Sequence, residues 1–204
     1  DMAFFEYSFL QGLAVTPNIC LGEMRTFLER VQVKYSDHVR GFIKKWLGFI
    51  RENIDCWKYV YRIGDVPGVG ANECYAHVKG DRGFICLVNQ DAGEKEFTFC
   101  LDGSIGLEKN EGKRYLLSEV YPRECPIAEQ TLPGSVYGEN ITLNVPAYSV
   151  RFIKIEPYYE AECGFRLYGI PAGEIDVSGK NYTLGIADYC GKMTPTALWI
   201  NDKS

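Results

Sequence analysis

SDHVRGFIKKWLGFIREN (residues 36–53) leads, across the glycine- and proline-rich GDVPGVG (64–70), into NECYAHVKGDRGFICLVN (72–89). In the first stretch Val39, Phe42, Ile43, Trp46, Leu47 and Ile50 recur at helical spacing, with Arg40, Lys44, Arg51 and Glu52 turned the other way. Ser36 supplies an N-cap oxygen and Asp37 complements the helix N-terminus, so a helix is predicted over 36–53. After the 64–70 loop the hydrophobic period falls from 3.6 to 2. Strands are predicted over 72–79, 83–89, 95–101, 113–120, 140–145 and 149–155, separated by turn formers such as Lys79-Gly80-Asp81-Arg82-Gly83 and Asp102-Gly103. Ile141, Leu143 and Val145 alternate with Thr142 and Asn144, as in a strand buried on one face. Many short strands at regular spacing mean a sandwich or barrel, and the helix before them makes the class α+β.

Working outward, residues 2–13 read as a helix stopped by Gly12 and the coming Pro17. Its Phe4, Phe5, Tyr7, Phe9, Leu10 and Leu13 spread around nearly the whole circumference, and helices apolar on all sides are buried inside large proteins. The expectation is that this helix begins inside a larger structure. The stretch Ala14-Val15-Thr16-Pro17-Asn18-Ile19 is short, β-branched and bounded by turn formers, as a short buried strand is, and 22–33 reads as a loop or short helix. The opening run lacks a basic leading segment and carries Glu6, so it reads neither as a signal peptide nor as a membrane span. From Pro157 a third section shows strand-like 164–168, 174–177, 182–187 and 197–200. The chain therefore divides at 1–63, 64–156 and 157–204.

Composition excludes more than it identifies. A net charge of −5 leaves no electrostatic footprint for nucleic acid. His38 and His77 have no third ligand at suitable spacing, so no metal site is expected, and no pattern asks for a cofactor. No G-x-S-x-G elbow is present, and the glycines of 64–70 lack the lysine of a phosphate-binding loop. The eight cysteines form no C-x-x-C pair, and Cys86 and Cys100 sit among strand-core neighbours, as buried thiols do. Two N-x-[ST] triplets, at Asn140 and Asn181, keep a secreted reading open beside a cytoplasmic one.

The run Met2–Tyr61 resembles the last turns of a (β/α)8 glycoside hydrolase barrel, with 2–13 in the place of helix seven, 14–19 as strand eight and 36–53 as helix eight. GDRGFICLVNQDAGEKEFTFCL (80–101) and ITLNVPAYSVRFIKIE (141–156), with its apolar hairpin through Pro146-Ala147, are similar to the C-terminal antiparallel domain of α-galactosidase-like and related glycoside hydrolases. The resemblance covers residues 1–156. It implies a glycan or glycoside substrate, with the remainder of the barrel or a partner chain completing the molecule. The paired carboxylates of such chemistry would stand on barrel strands upstream of Asp1, and no candidate pair, hence no catalytic residue, is found in this chain. The loop after the expected strand eight, with Asn18, Glu23 and Arg25, would reach the barrel's top face and contact sugar hydroxyls.

The alternation Trp57, Tyr59, Tyr61 has two readings: a platform on which sugar rings stack, or an aromatic seal between the helix and the strands. Two functions follow. One is the C-terminal portion of a glycoside hydrolase, with the β domain as a stabilising accessory. The other is a non-catalytic carbohydrate-binding or interaction module that folds without a barrel.

Overall fold

The computed structural model describes residues 2–16, 33–68, 70–160, 165–178, 181–186 and 197–200. Among the described residues three helices, α1 (Met2–Val15), α2 (Val33–Glu52) and α3 (Ile54–Trp57), precede thirteen strands. These are β1 (Tyr61–Arg62), β2 (Asn72–Lys79), β3 (Arg82–Asn89), β4 (Lys95–Cys100), β5 (Arg114–Tyr121), β6 (Cys125–Pro126), β7 (Ser135–Val136), β8 (Asn140–Val145), β9 (Ser149–Pro157), β10 (Phe165–Tyr168), β11 (Ala172–Ser178), β12 (Asn181–Ile186) and β13 (Ala197–Ile200). The class is α+β and every described strand pairing is antiparallel.

One seven-stranded sheet organises the molecule, in the order β1-β2-β3-β9-β5-β6 with β7 also on β5, and β4 and β8 form a separate ribbon. The sheet is covered on both faces, and period-2 alternation decides which residue meets which cover. Cys74, Ala76, Ile85, Leu87, Tyr115, Leu117, Ile153 and Ile155 point to one side. There they pack with Phe97, Phe99, Ile141, Leu143 and Val145 of the ribbon. Their strand neighbours Tyr75, Phe84, Cys86, Val88, Val150 and Phe152 point to the other side and meet Leu10, Leu13, Ala14, Trp46, Ile50 and Trp57 of the helices. Trp46 is 1% exposed and stands edge-on to Phe152, ring centroids 5.3 Å apart. Burial on both faces explains why 84–88 reads as an unbroken apolar run while β8, exposed on one face, alternates.

His77 ties the helical layer to the sheet. Buried on β2, it stacks on Trp57 with centroids 4.6 Å apart, its Nε2 lies 2.8 Å from the Ala14 carbonyl and its Nδ1 2.8 Å from the Tyr59 carbonyl. Burial lowers its pKa below the ordinary value, outweighing the two carbonyls that favour the cation. Trp57 Nε1 donates to the Leu13 carbonyl at 3.2 Å, a second link to the end of α1.

Three sequence expectations need correction. Ala14 and Val15 lie in α1, not in a strand: Gly12 sits in open space where it costs only propensity, and burial of Leu13 and Ala14 on the sheet carries the helix on. Residues 17–19 of that expected strand lie outside the described residues. Helix α2 starts at Val33, so Ser36 is inside it and is not its N-cap. The two-residue strands β1, β6 and β7 went unforeseen, being too short to show a period. Of the third section, β10 packs on the main sheet, with Gly169 N donating to the Pro126 carbonyl at 2.8 Å. Among the described residues, Cys56, Cys74, Cys86, Cys100 and Cys125 are free thiols. Burial holds the Cys74 and Cys86 thiols well above the usual range, which makes them inert packing groups.

Candidate functional site

Strand β5 carries a register shift against β9 between Glu119 and Tyr121. Such a bulge re-aims side chains, and here Glu119, 1% exposed, is at the centre of a charge cluster. Its Oε1 accepts from Arg151 Nε at 2.5 Å and its Oε2 from Arg123 Nε at 3.1 Å. Arg151 Nη1 donates to the Asn144 carbonyl at 2.8 Å, so the buried ions satisfy one another. Glu119 lines two clefts, one of about 300 Å³ and one of about 570 Å³.

The smaller cleft is walled by Tyr7 of α1, Tyr121 of β5 and Tyr148 of the β8–β9 turn, with Asn144, Ser149 and Arg151 among its polar members. Tyr148 is the unusual one. Its φ is +47°, in the left-handed region that disfavours a bulky side chain, yet its ring is 60% exposed. The turn holds it there: Tyr148 N donates to the Asp91 carbonyl at 3.0 Å and Ser149 Oγ to the Pro146 carbonyl at 2.7 Å. Tyr121 Oη donates to Glu6 Oε2 at 3.0 Å, and its pKa is raised by burial and then by Glu6. That of Tyr7 is raised by burial, with Glu73 and Tyr148 adding. All of these raised hydroxyls stay protonated at neutral pH, so the cleft offers aromatic faces, hydroxyl donors and a guanidinium.

The larger cleft lies between α2, the β5–β6 edge and the chain around Tyr159 and Arg166. Two of its acids are paired, Glu124 with Lys45 at 2.7 Å and Glu156 with Lys154 at 2.5 Å. Arg166 lies over the Tyr158 and Tyr159 rings, 5.3 and 4.8 Å from their centroids.

Neither cleft holds a pair of free carboxyl groups at its floor. The buried acids of the described residues are Glu119 and Glu73, and both oxygens of each are engaged. Glu73 accepts from Tyr75 Oη at 3.0 Å and from Gln90 Nε2. Among the described residues no three His, Cys, Asp or Glu gather as metal ligands would, and no helix is long and apolar enough to cross a membrane.

Asn18, Glu23 and Arg25 lie outside the described residues. The other three expected site residues do not share one open face. Trp57 is 5% exposed with one face on His77 and its edge region against Phe49 and Phe84, so it seals helices to sheet. Tyr59 and Tyr61 are half-exposed, and the Tyr61 ring lies against Gly106, where a Cβ would come within 2.3 Å of its Cε2. Tyr148, Tyr121, Arg151 and Arg166 were not singled out in the sequence. Nothing local marked Tyr148: the hairpin expected through Pro146-Ala147 is instead a crossing from β8 of the ribbon to β9 of the main sheet, and its turn holds Tyr148 by contacts with Asp91.

No protein-family model and no curated protein matches the chain. Solved structures similar to parts of it are α-galactosidase I from Mortierella vinacea (15% identity over 42% of this chain and 21% of that one, TM-score 0.32), the Saccharomyces cerevisiae α-galactosidase solved with raffinose (10%, 49% and 32%, TM-score 0.32) and an Anoxybacillus α-amylase (13%, 65% and 24%, TM-score 0.39). The chain thus spans less than a third of the length of each. Likeness at this level identifies neither a family nor an activity.

Proposed function

We propose that this chain is the C-terminal portion of a glycoside hydrolase, its sheet and ribbon an accessory domain and its catalytic carboxylates outside residues 1–204. One observation carries the reading: the helices that pack on the sheet also expose large apolar side chains on their outer side, set among the charged Arg40, Lys44 and Arg51. Helix α1 buries Leu10, Leu13 and Ala14 on the sheet while Phe4 is 69% exposed, and α2 buries Val39, Trp46 and Ile50 while Leu47 is 44% exposed. Large apolar groups left exposed on a layer already packed on one side suit helices shared between two bodies, as barrel-end helices beside a β domain would be. The sequence resemblance of 1–156 and the engaged state of both buried acids agree with it. Aryl glycosides incubated with the purified chain are expected to show no turnover above buffer. Turnover by this chain that survives removal of contaminating activity overturns the proposal.

A second reading, carbohydrate binding by the chain itself, is favoured by Tyr148. Backbone strain at an exposed aromatic beside an arginine and hydroxyl donors is the kind that persists where a ligand uses it. Tyr148→Gly removes the ring and the strain together. It is expected to raise Tm by a few degrees, from relief of about 1 kcal/mol, while weakening oligosaccharide binding by about tenfold. A Tyr148→Gly chain that binds neutral oligosaccharides as the parent does would leave the cleft without this role.

A further inference from the structure

We propose that the larger cleft binds a carboxylate-bearing sugar, a uronic acid residue, through Arg166. The proposal deepens the carbohydrate reading above and rests on it for the sugar, but not for the anion. Arg166 is 8% exposed, and its Nη1 is buried without a hydrogen-bond partner. Nη2 donates to the Tyr159 carbonyl at 2.8 Å, the Tyr168 hydroxyl is a further polar neighbour of the side chain, and the guanidinium carbon lies 5.3 and 4.8 Å from the Tyr158 and Tyr159 ring centroids. Among the described residues no carboxylate forms an ion pair with it. A desolvated cation with an idle donor is costly unless something completes it.

What completes it follows from the geometry of the side chain and the charge of the walls. A guanidinium anchored through one terminal nitrogen still presents donors to a planar oxyanion, and a carboxylate matches that fork better than a spherical ion does. Glu119, Glu124 and Glu156, which also line the cleft, are each neutralised by a basic partner, so they oppose an incoming anion weakly. Glu52 of α2 is the lining acid that opposes it most. Ser118 and Asn53 on the walls supply neutral hydrogen-bonding groups for hydroxyls, and Tyr159, 55% exposed, supplies a ring at the rim. A cleft of about 570 Å³ has room for one or two pyranose units.

The test is isothermal titration of the whole chain with galacturonate oligomers, with galactose oligomers of the same length, and with acetate and inorganic sulfate. Galacturonate oligomers are expected to bind at least tenfold more tightly than the neutral oligomers and than either small anion. Arg166→Gln is expected to lose that tenfold margin, and Arg166→Lys, which keeps the charge and the fold but not the fork, to lose most of it. Equal affinity for acidic and neutral oligomers overturns the inference and spares the carbohydrate reading. Tight binding of acetate or sulfate with no gain from the sugar overturns the sugar assignment and counts against the carbohydrate reading itself. Galacturonate binding that survives Arg166→Lys undiminished, in a chain of unchanged circular dichroism, shows that the acid is recognised elsewhere.

Discussion

His77 shows how one buried residue sets a pH dependence. Both ring nitrogens face carbonyls, so the neutral ring leaves one contact without a proton, while burial disfavours the cation that would satisfy both. Because the folded pKa lies below 6.5, the unfolded chain binds the extra proton first as pH falls. Stability is then full above the unfolded value and declines below it, by at most about 1.4 kcal/mol per pH unit, until the folded group also titrates. Thermal melts between pH 8 and pH 5 should show this decline for the parent. His77→Gln, less stable at pH 8, should show a flatter profile, and an equally steep one would assign the pH dependence to other groups. Glu119 allows a second test at this scale. Glu119→Ala leaves Arg151 buried and uncompensated and should cost about 3–5 kcal/mol in urea unfolding, whereas Glu119→Ala combined with Arg151→Met should recover a large part of it. Full additivity of the two changes would mean that the pair does not act as a unit. Neither the His77 contact with Ala14 nor the Glu119 contact with Arg151 was legible in the sequence, because they join positions 63 and 32 residues apart, at angles set by the end of a helix and by a bulge.

At the scale of elements the sequence was more legible. Strands predicted over 72–79 and 140–145 are observed with those bounds, and the other four of the main set agree within two residues at either end. Period and turn chemistry suffice there, since a strand paired on both sides is held by its whole apolar pattern. The failures share a cause. Alanine and valine at 14 and 15 have the composition of a strand, but contact with Val88, Phe152 and their neighbours favours continuing α1, and tertiary burial overrides local preference. Ser36 resembles a cap, yet α2 extends one turn farther back to Val33. Trp46 is the residue by which α2 docks, touching Phe42, Phe49, Tyr121 and Phe152. Trp46→Ala should therefore cost about 3–5 kcal/mol and broaden the unfolding transition by loosening the helices before the sheet. A loss below about 1 kcal/mol, read from urea melts, would mean that the layer is not held by this ring.

The whole molecule is a sheet covered on both faces and a helical layer that packs on the sheet while exposing Phe4 and Leu47 on its outer side. The β-rich half was readable because alternation and turn spacing pointed the same way, whereas the hairpin expected through Pro146-Ala147 is a crossing between the ribbon and the main sheet. The clefts were not, since Tyr7, Tyr121 and Tyr148, or Trp46, Glu119 and Arg166, meet only once the sheet has formed. Of the apolar residues around α1, Phe4 lies largely in the open, while Phe5 and Phe9 are half-buried and meet Phe42 edge to face. The direct measurement is 1-anilinonaphthalene-8-sulfonate fluorescence of the folded chain at neutral pH, compared with a Phe4→Glu, Leu47→Glu double variant. The expected result is strong dye binding by the parent, with concentration-dependent association on size exclusion, and a several-fold drop in both for the variant at unchanged Tm. A parent that is monomeric and dark to the dye, or a variant that unfolds because Phe4 and Leu47 were packed within the chain, would contradict it.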